Sequence, residues 1–219
     1  MDSPTQPPRK RYRSPGRPTR SQAEARNREL LDKALDLFLE NGFERTTIEA
    51  ITSAVGMAKR TVYARYGDKE TLFRTALQRA IGEWLVPVEQ LRAAEVDDLE
   101  QSLLAIGRIL VANILSPAGM RLMRITNSES IRMPEIGDYA VRQGTAPTVA
   151  FLQDFLSRRL PGRYPSPADS NAVAYAFLQL VVGGPANIMA WGVRLTPEEV
   201  ELQTRHGVRL FLHGILHDD

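Results

Sequence analysis

The chain has 219 residues, 43% of them hydrophobic, which is enough apolar side chain for a packed core. The absence of cysteine excludes a disulfide scaffold, a thiolate zinc site, a thiol nucleophile and a cysteine redox sensor. Lys+Arg and Asp+Glu nearly balance, at 28 and 26, but residues 1–79 hold 16 and 10 of them, so an anionic partner is expected at the N-terminal third.

The first 20 residues read as a disordered basic arm. Pro4, Pro7, Pro8, Pro15 and Pro18 are interspersed with Arg9, Lys10, Arg11, Arg13 and Arg17, and nothing there can build a core. A solubilising tail and a cationic arm with Arg17 in a minor groove are both compatible with this composition. No apolar core follows the basic start, so no signal peptide is expected. The longest apolar stretch, Ala172–Val182, falls short of the roughly 20 residues of a membrane span. A cytoplasmic location without a membrane partner is expected.

From Ser21 the pattern is helical, with Leu30, Ala34, Leu37 and Phe38 at i, i+4, i+7 and i+8. Asn41-Gly42 predicts its end at a left-handed cap. Thr46 to Glu49 reads as a capping box with Thr46 as N-cap of a short second helix faced by Ile48, Ile51 and Val55. Gly56 permits a tight turn. A third helix is expected over Ala58 to Tyr66, and Asp68 caps a fourth, from Lys69 to about Val86, where Pro87 ends it. Leu72, Phe73, Ala76, Leu77 and Ala80 form its inner side. Trp84 reads as a core residue or as a link between the two halves.

Second helix, glycine turn and third helix form a helix-turn-helix pattern. With Val62 facing inward, Lys59, Arg60, Thr61, Tyr63 and Arg65 face mostly outward. Such a face suits guanine edges and phosphates, and it also suits an ordinary solvated surface. The runs Ala34-Leu35-Asp36-Leu37-Phe38, Asn41-Gly42-Phe43, Thr46 to Ile51 and Val55 to Phe73 resemble the N-terminal domain of the TetR family of bacterial transcriptional regulators, in register over about residues 21–80.

The resemblance implies an all-α protein: an N-terminal DNA-binding domain over 21–86, and a larger helical domain over 87–219 that dimerises and often binds a small molecule. It assigns Thr46 and Thr47 to a phosphate at the start of the second helix and Lys59, Arg60 and Thr61 to base edges. Tyr63 goes to the backbone, with simple packing as the alternative. Arg65 goes to phosphate or base, and Lys69 to a phosphate. The sequence departs from the family at Ala58, where Ser or Thr is usual and caps the recognition helix, and at Arg60, Arg65 and Tyr66, where Gly, His and Phe are common. Those departures bear on the operator sequence rather than the binding mode.

Beyond residue 88, Leu99, Leu103, Ile106 and Leu110 mark a helix ending near Ser116-Pro117. Another runs from Gly119 to Met133-Pro134, and a longer one from Glu135 to Leu160 carries Tyr139, Val149, Phe151, Leu152 and Phe155. From Asp169 to Gly183 the chain is apolar almost all round, the mark of a helix buried on all sides. An amphipathic run covers Pro197 to Leu216. The resemblance implies that these last two helices form a four-helix bundle with a second copy. The segment Arg121 to Ile136 resembles the C-terminal domain of AcrR-like members. Glu129 and Arg132, three apart, are expected to pair with each other.

Catalytic motifs are lacking: the chain has no P-loop, no dinucleotide glycine fingerprint and no nucleophile elbow, and no cofactor or catalytic residue is assigned. His213 and His217, at i, i+4, do not complete a metal site. Met120, Met123, Phe151, Phe155, Tyr175 and Trp191 are large, adaptable candidates for lining a ligand cavity, and an ordinary core uses the same residue types. The reading is a dimeric repressor released from a palindromic operator in double-stranded DNA by a small apolar or amphipathic ligand. The alternative is a DNA-binding regulator with no small-molecule effector.

Overall fold

The computed structural model describes residues 19–162 and 166–216; most of the basic arm, together with His217, lies outside them. The described residues are helical, without strands, and the chain divides into two compact units at Leu72/Phe73.

The first unit begins with α1 (Arg20–Arg45), so Arg20 is helical and not part of the arm. Thr19 and Gln22 make a reciprocal capping box, with the Gln22 N–H on Thr19 Oγ1 at 3.2 Å and the Thr19 N–H on Gln22 Oε1 at 2.9 Å. Gly42 takes φ 78°, and after that kink one more turn carries the helix to Arg45. Next come α2 (Ile48–Ala54) and α3 (Lys59–Tyr66), joined through Gly56 at φ 58°. Leu30, Ala34, Phe38, Ile51, Val62 and Leu72 form the buried core, with Phe43 stacked on Phe38 at 5.7 Å. Ala58 provides no side-chain cap for α3, as its lack of a hydroxyl requires. Asp68 accepts the Thr71 N–H at 2.7 Å and starts α4 (Lys69–Trp84). That helix stops before the expected Val86, and a short α5 (Val88–Arg92) follows Pro87.

In the second unit, α6 (Leu99–Leu115) is capped by Asp98 and turns at Ser116-Pro117 into α7 (Pro117–Glu129). The helix expected over Glu135–Leu160 is present as an unbroken run, α8 (Pro134–Ala140), a widened turn over Val141–Thr145, and α9 (Ala146–Arg159). The next helical run has the same build: α10 (Pro167–Phe177), a widened turn over Leu178–Gly183, and α11 (Gly184–Ala190). The chain ends with α12 (Pro197–Leu216). Leu103 and Ile106 of α6, Leu152 and Phe155 of α9, Phe177 and Val181, and Val208 and Phe211 of α12 form one core, where Phe177 meets Phe211 edge-on at 5.2 Å. Arg132 pairs with Glu129 at 3.6 Å, as expected.

In the single chain, without the second copy expected to cover it, the all-round apolar run is buried on one side. Ala174, Phe177 and Val181 are inside, whereas Ala172, Ala176 and Leu180 are exposed in the single chain. One helical stretch, Ala168–Ala190, is longer than the expected apolar run Ala172–Val182 and apolar enough to cross a membrane by length and composition. In the fold its inner face is part of the second unit's core.

Candidate nucleic-acid interface and ligand cavity

Val62 alone on α3 is buried, and Tyr66 is half-buried, so the helix presents Lys59, Arg60, Thr61, Tyr63 and Arg65 outward. Arg60, Thr61, Ala64 and Arg65 border one shallow surface groove. Arg65 lies over the Tyr66 ring at 5.9 Å, and Tyr63 remains 46% exposed. Two contacts seat this helix pair on α1: the Tyr66 hydroxyl donates to Asn27 Oδ1, and Arg26 donates to the Gly56 carbonyl at 3.4 Å. Neither Asn27 nor Arg26 stood out in the sequence, because a contact across 30 or more positions has no local signature.

Three of the expected phosphate or base contacts are placed differently. Thr47, not Thr46, caps α2, accepting the Ala50 N–H at 3.1 Å. The Thr46 hydroxyl is buried and donates to the Leu37 and Gly42 carbonyls at 3.0 and 2.8 Å, closing the end of α1 instead of facing an anion. Lys59 is ion-paired with Glu49 of α2 and lies 6.0 Å from the Tyr63 ring centroid. Their shared hydrogen bond holds the Lys59 ammonium above its ordinary pKa and the Glu49 carboxyl below its own. Lys69 donates to the Phe43 and Glu44 carbonyls at 2.9 and 3.3 Å and sits 4.3 Å from the Phe43 ring centroid. Its cation therefore neutralises the negative end of α1, leaving one of three N–H donors for any other acceptor.

In the second unit two prolines determine where the chain widens. A proline has no N–H, and its ring collides with the carbonyl four residues back in a regular helix. Before Pro147 the Ala146 N–H reaches Val141 O, five residues back. Before Pro185 the Gly184 N–H reaches Gln179 O in the same way. Both widened turns face a cavity of about 490 Å³, lined by Gln143, Gly144 and Thr145 from one and by Leu178, Gln179, Val182 and Gly183 from the other. Trp84 at the end of α4 forms another wall. Its Nε1 donates to the Asn113 carbonyl at 3.2 Å, and Asn113 Nδ2 returns a bond to the Trp84 carbonyl at 3.3 Å. Gly119 makes room for this: a Cβ there would lie 2.5 Å from the Asn113 and Ile114 carbonyls and 2.9 Å from Trp84 Cζ2.

Of the six candidate lining residues, Met123 and Tyr175 reach the cavity. Met120, Phe151 and Phe155 do not; they are buried in solid packing, with Phe151 and Phe155 stacked at 6.2 Å. Trp191 is 81% exposed and also off the cavity wall. The residues that sequence reasoning missed are the neutral polar ones: Asn113, Thr126, Asn127, Gln143, Thr148, Gln179 and Asn187. Their only advance signal is Pro147 and Pro185 inside otherwise regular helical runs. No cluster that could hold a metal occurs among the described residues.

The chain is similar to known regulators of transcription. Residues 30–76 match the family profile of bacterial regulatory proteins of the tetR family, and residues 101–214 match the C-terminal domain of AefR-like transcriptional repressors. The HTH-type transcriptional repressor ComR of Escherichia coli is 32% identical over 161 residues, covering 70% of this chain and 74% of ComR. The HTH-type regulator YezE of Bacillus subtilis is 27% identical over 137 residues, 61% of this chain and 70% of its own. Among solved structures, a TetR-family regulator from Mesorhizobium loti superposes with a TM-score of 0.75 at 23% identity, over 90% of this chain and 98% of that one. The flavonoid-responsive regulator FrrA superposes at 0.68 and 28% identity, over 87% and 97%. The chain belongs to the TetR family: it is an all-α, DNA-binding regulator of transcription and not an enzyme.

Proposed function

We propose that the protein is a dimeric repressor whose two copies grip a palindromic operator through α3 and let go when a small molecule fills the second unit's cavity. The observation that carries this reading is the exposed row Arg60, Thr61 and Arg65 on a helix whose opposite side is anchored by Val62 and Tyr66. Arg60 and Thr61 read base edges, Arg65 and Tyr63 reach the backbone, and Thr47 at the start of α2 meets a phosphate. Lys59 joins them when phosphate competes with Glu49. In this reading residues 21–86 form the DNA-binding domain and 87–219 the effector and dimerisation domain, in a cytoplasmic protein.

Repression is supported by the names of ComR and of the AefR-like repressors. A small-molecule effector is supported by the cavity and by the likeness to a flavonoid-responsive regulator. A second copy is supported by apolar side chains exposed on the last long helices, Leu180, Leu202 and Leu210, which water would otherwise cover. The ligand acts by linkage: one that prefers the conformation unfit for DNA lowers operator affinity by its own ratio of affinities for the two states.

Selection of bound sequences from a random duplex pool tests the reading. It should return an inverted repeat with half-site centres roughly 34–36 Å apart, the spacing of successive major grooves. Enrichment of an unrepeated site, or no enrichment, overturns it.

A further inference from the structure

The cavity in the second unit carries no charge. Its wall contains five amides and three threonines and no Asp, Glu, Lys, Arg or His. Two charged residues adjacent in sequence to wall positions are engaged elsewhere. Glu83, beside Trp84, pairs with Arg79 at 2.8 Å. Arg124, beside Met123, donates to the Met189 carbonyl at 2.9 Å. An ion entering such a space gives up part of its hydration and meets no opposite charge in return. A neutral molecule meets no such barrier.

The polar groups also indicate a pattern. An amide both donates and accepts. One Asn113 Nδ2 donor is engaged at the Trp84 carbonyl, and the Thr148 hydroxyl donates to the Gly144 carbonyl at 3.2 Å, so both side chains retain oxygens that can accept. Asn127 and Gln143 add donors. The aromatic rings of Trp84 and Tyr175 and the Met123 thioether supply apolar wall. A carboxylate uses only donors and an ammonium only acceptors, whereas this wall mixes the two.

We propose that the cavity selects an electrically neutral ligand with an unsaturated apolar body and groups that both donate and accept hydrogen bonds, and that it rejects carboxylates and ammonium ions of the same shape. The proposal rests on the reading of this cavity as an effector site and narrows its chemistry.

Three probes of one shape test it: para-phenylbenzamide, para-phenylbenzoate and para-phenylbenzylammonium, titrated calorimetrically into the full chain at neutral pH. The amide should bind at least about tenfold more tightly than either ion. Asn127→Asp, at an exposed position with nearly unchanged shape, should improve the ammonium probe about tenfold and weaken the benzoate, with Gln143→Glu as a second variant of the same design. An ion that binds the wild type as well as the amide does overturns the proposal. So does binding of none of the three up to their solubility, or a pair of variants that leaves all three affinities unchanged. DNA retention, followed in parallel by fluorescence anisotropy, separates this from the functional reading. Selective binding of the amide without release of DNA supports the neutral-ligand inference and sinks the effector role.

Discussion

The Tyr66 hydroxyl donates to Asn27 Oδ1 at 2.5 Å, fastening the last residue of the recognition helix to α1, 39 positions earlier. A phenylalanine at this position would fill the same space without the bond. Tyr66→Phe and Asn27→Ala should each lower stability by about 1 kcal/mol, with a coupling of similar size in a double-mutant cycle by urea denaturation. Fully additive losses would show that the contact contributes nothing.

Lys69 and Arg60 should separate stability from recognition. Lys69 holds two carbonyls and an aromatic face at the end of α1, so Lys69→Ala should cost about 1–3 kcal/mol of folding stability. Arg60 is exposed, so Arg60→Ala should leave the melting temperature unchanged and cost about 1–3 kcal/mol per half-site on the selected operator, with much less lost on random DNA. Equal losses on both DNAs would assign Arg60 to the phosphate backbone.

Glu49 neutralises Lys59 beside the proposed DNA face. Glu49→Gln frees that lysine and removes an anion, so DNA affinity should rise on any sequence. The slope of log K against log salt should steepen by about 1 per protomer. An unchanged slope would show that Lys59 takes no part in phosphate binding.

Glu201 of α12 is bonded by Arg108 of α6 and by Arg205, and these bonds lower its pKa from 4.5 to about 2. A depressed carboxyl stabilises the fold fully above its unfolded pKa and loses that contribution as pH falls through the folded one. The gap in melting temperature between wild type and Glu201→Gln should therefore be constant above about pH 5 and close as the pH approaches 2. A gap that persists at the acid end would contradict this assignment.

Gly119 has no room for a methyl group, since two of its three close neighbours are backbone carbonyls that cannot rotate away. Gly119→Ala should destabilise the second unit by about 1–3 kcal/mol, read as a lower thermal midpoint, and should displace Trp84 enough to change its fluorescence. Wild-type melting and emission would mean that the α6–α7 corner relaxes freely.

Local chemistry was legible in the chain itself. The Asp68 cap, the uncapped Ala58, the positive φ at Gly42, the inward Val62 and the pairing of Glu129 with Arg132 each depend on neighbours within a few residues. The helix-turn-helix could be read for that reason, and so could the bounds of α6 and α12. Periodicity assigns an inward face to a helix, but it carries no information on whether that face meets solid packing or a void. Met120, Phe151 and Phe155 met packing, while Met123 and Tyr175, equally apolar, met space. Likewise, the sequence marks Lys59 and Lys69 as cations. Folding decided that a carboxylate and a pair of carbonyls would hold them, because electrostatic partners are set by distance in space, and tertiary packing brings together groups 10 to 26 positions apart.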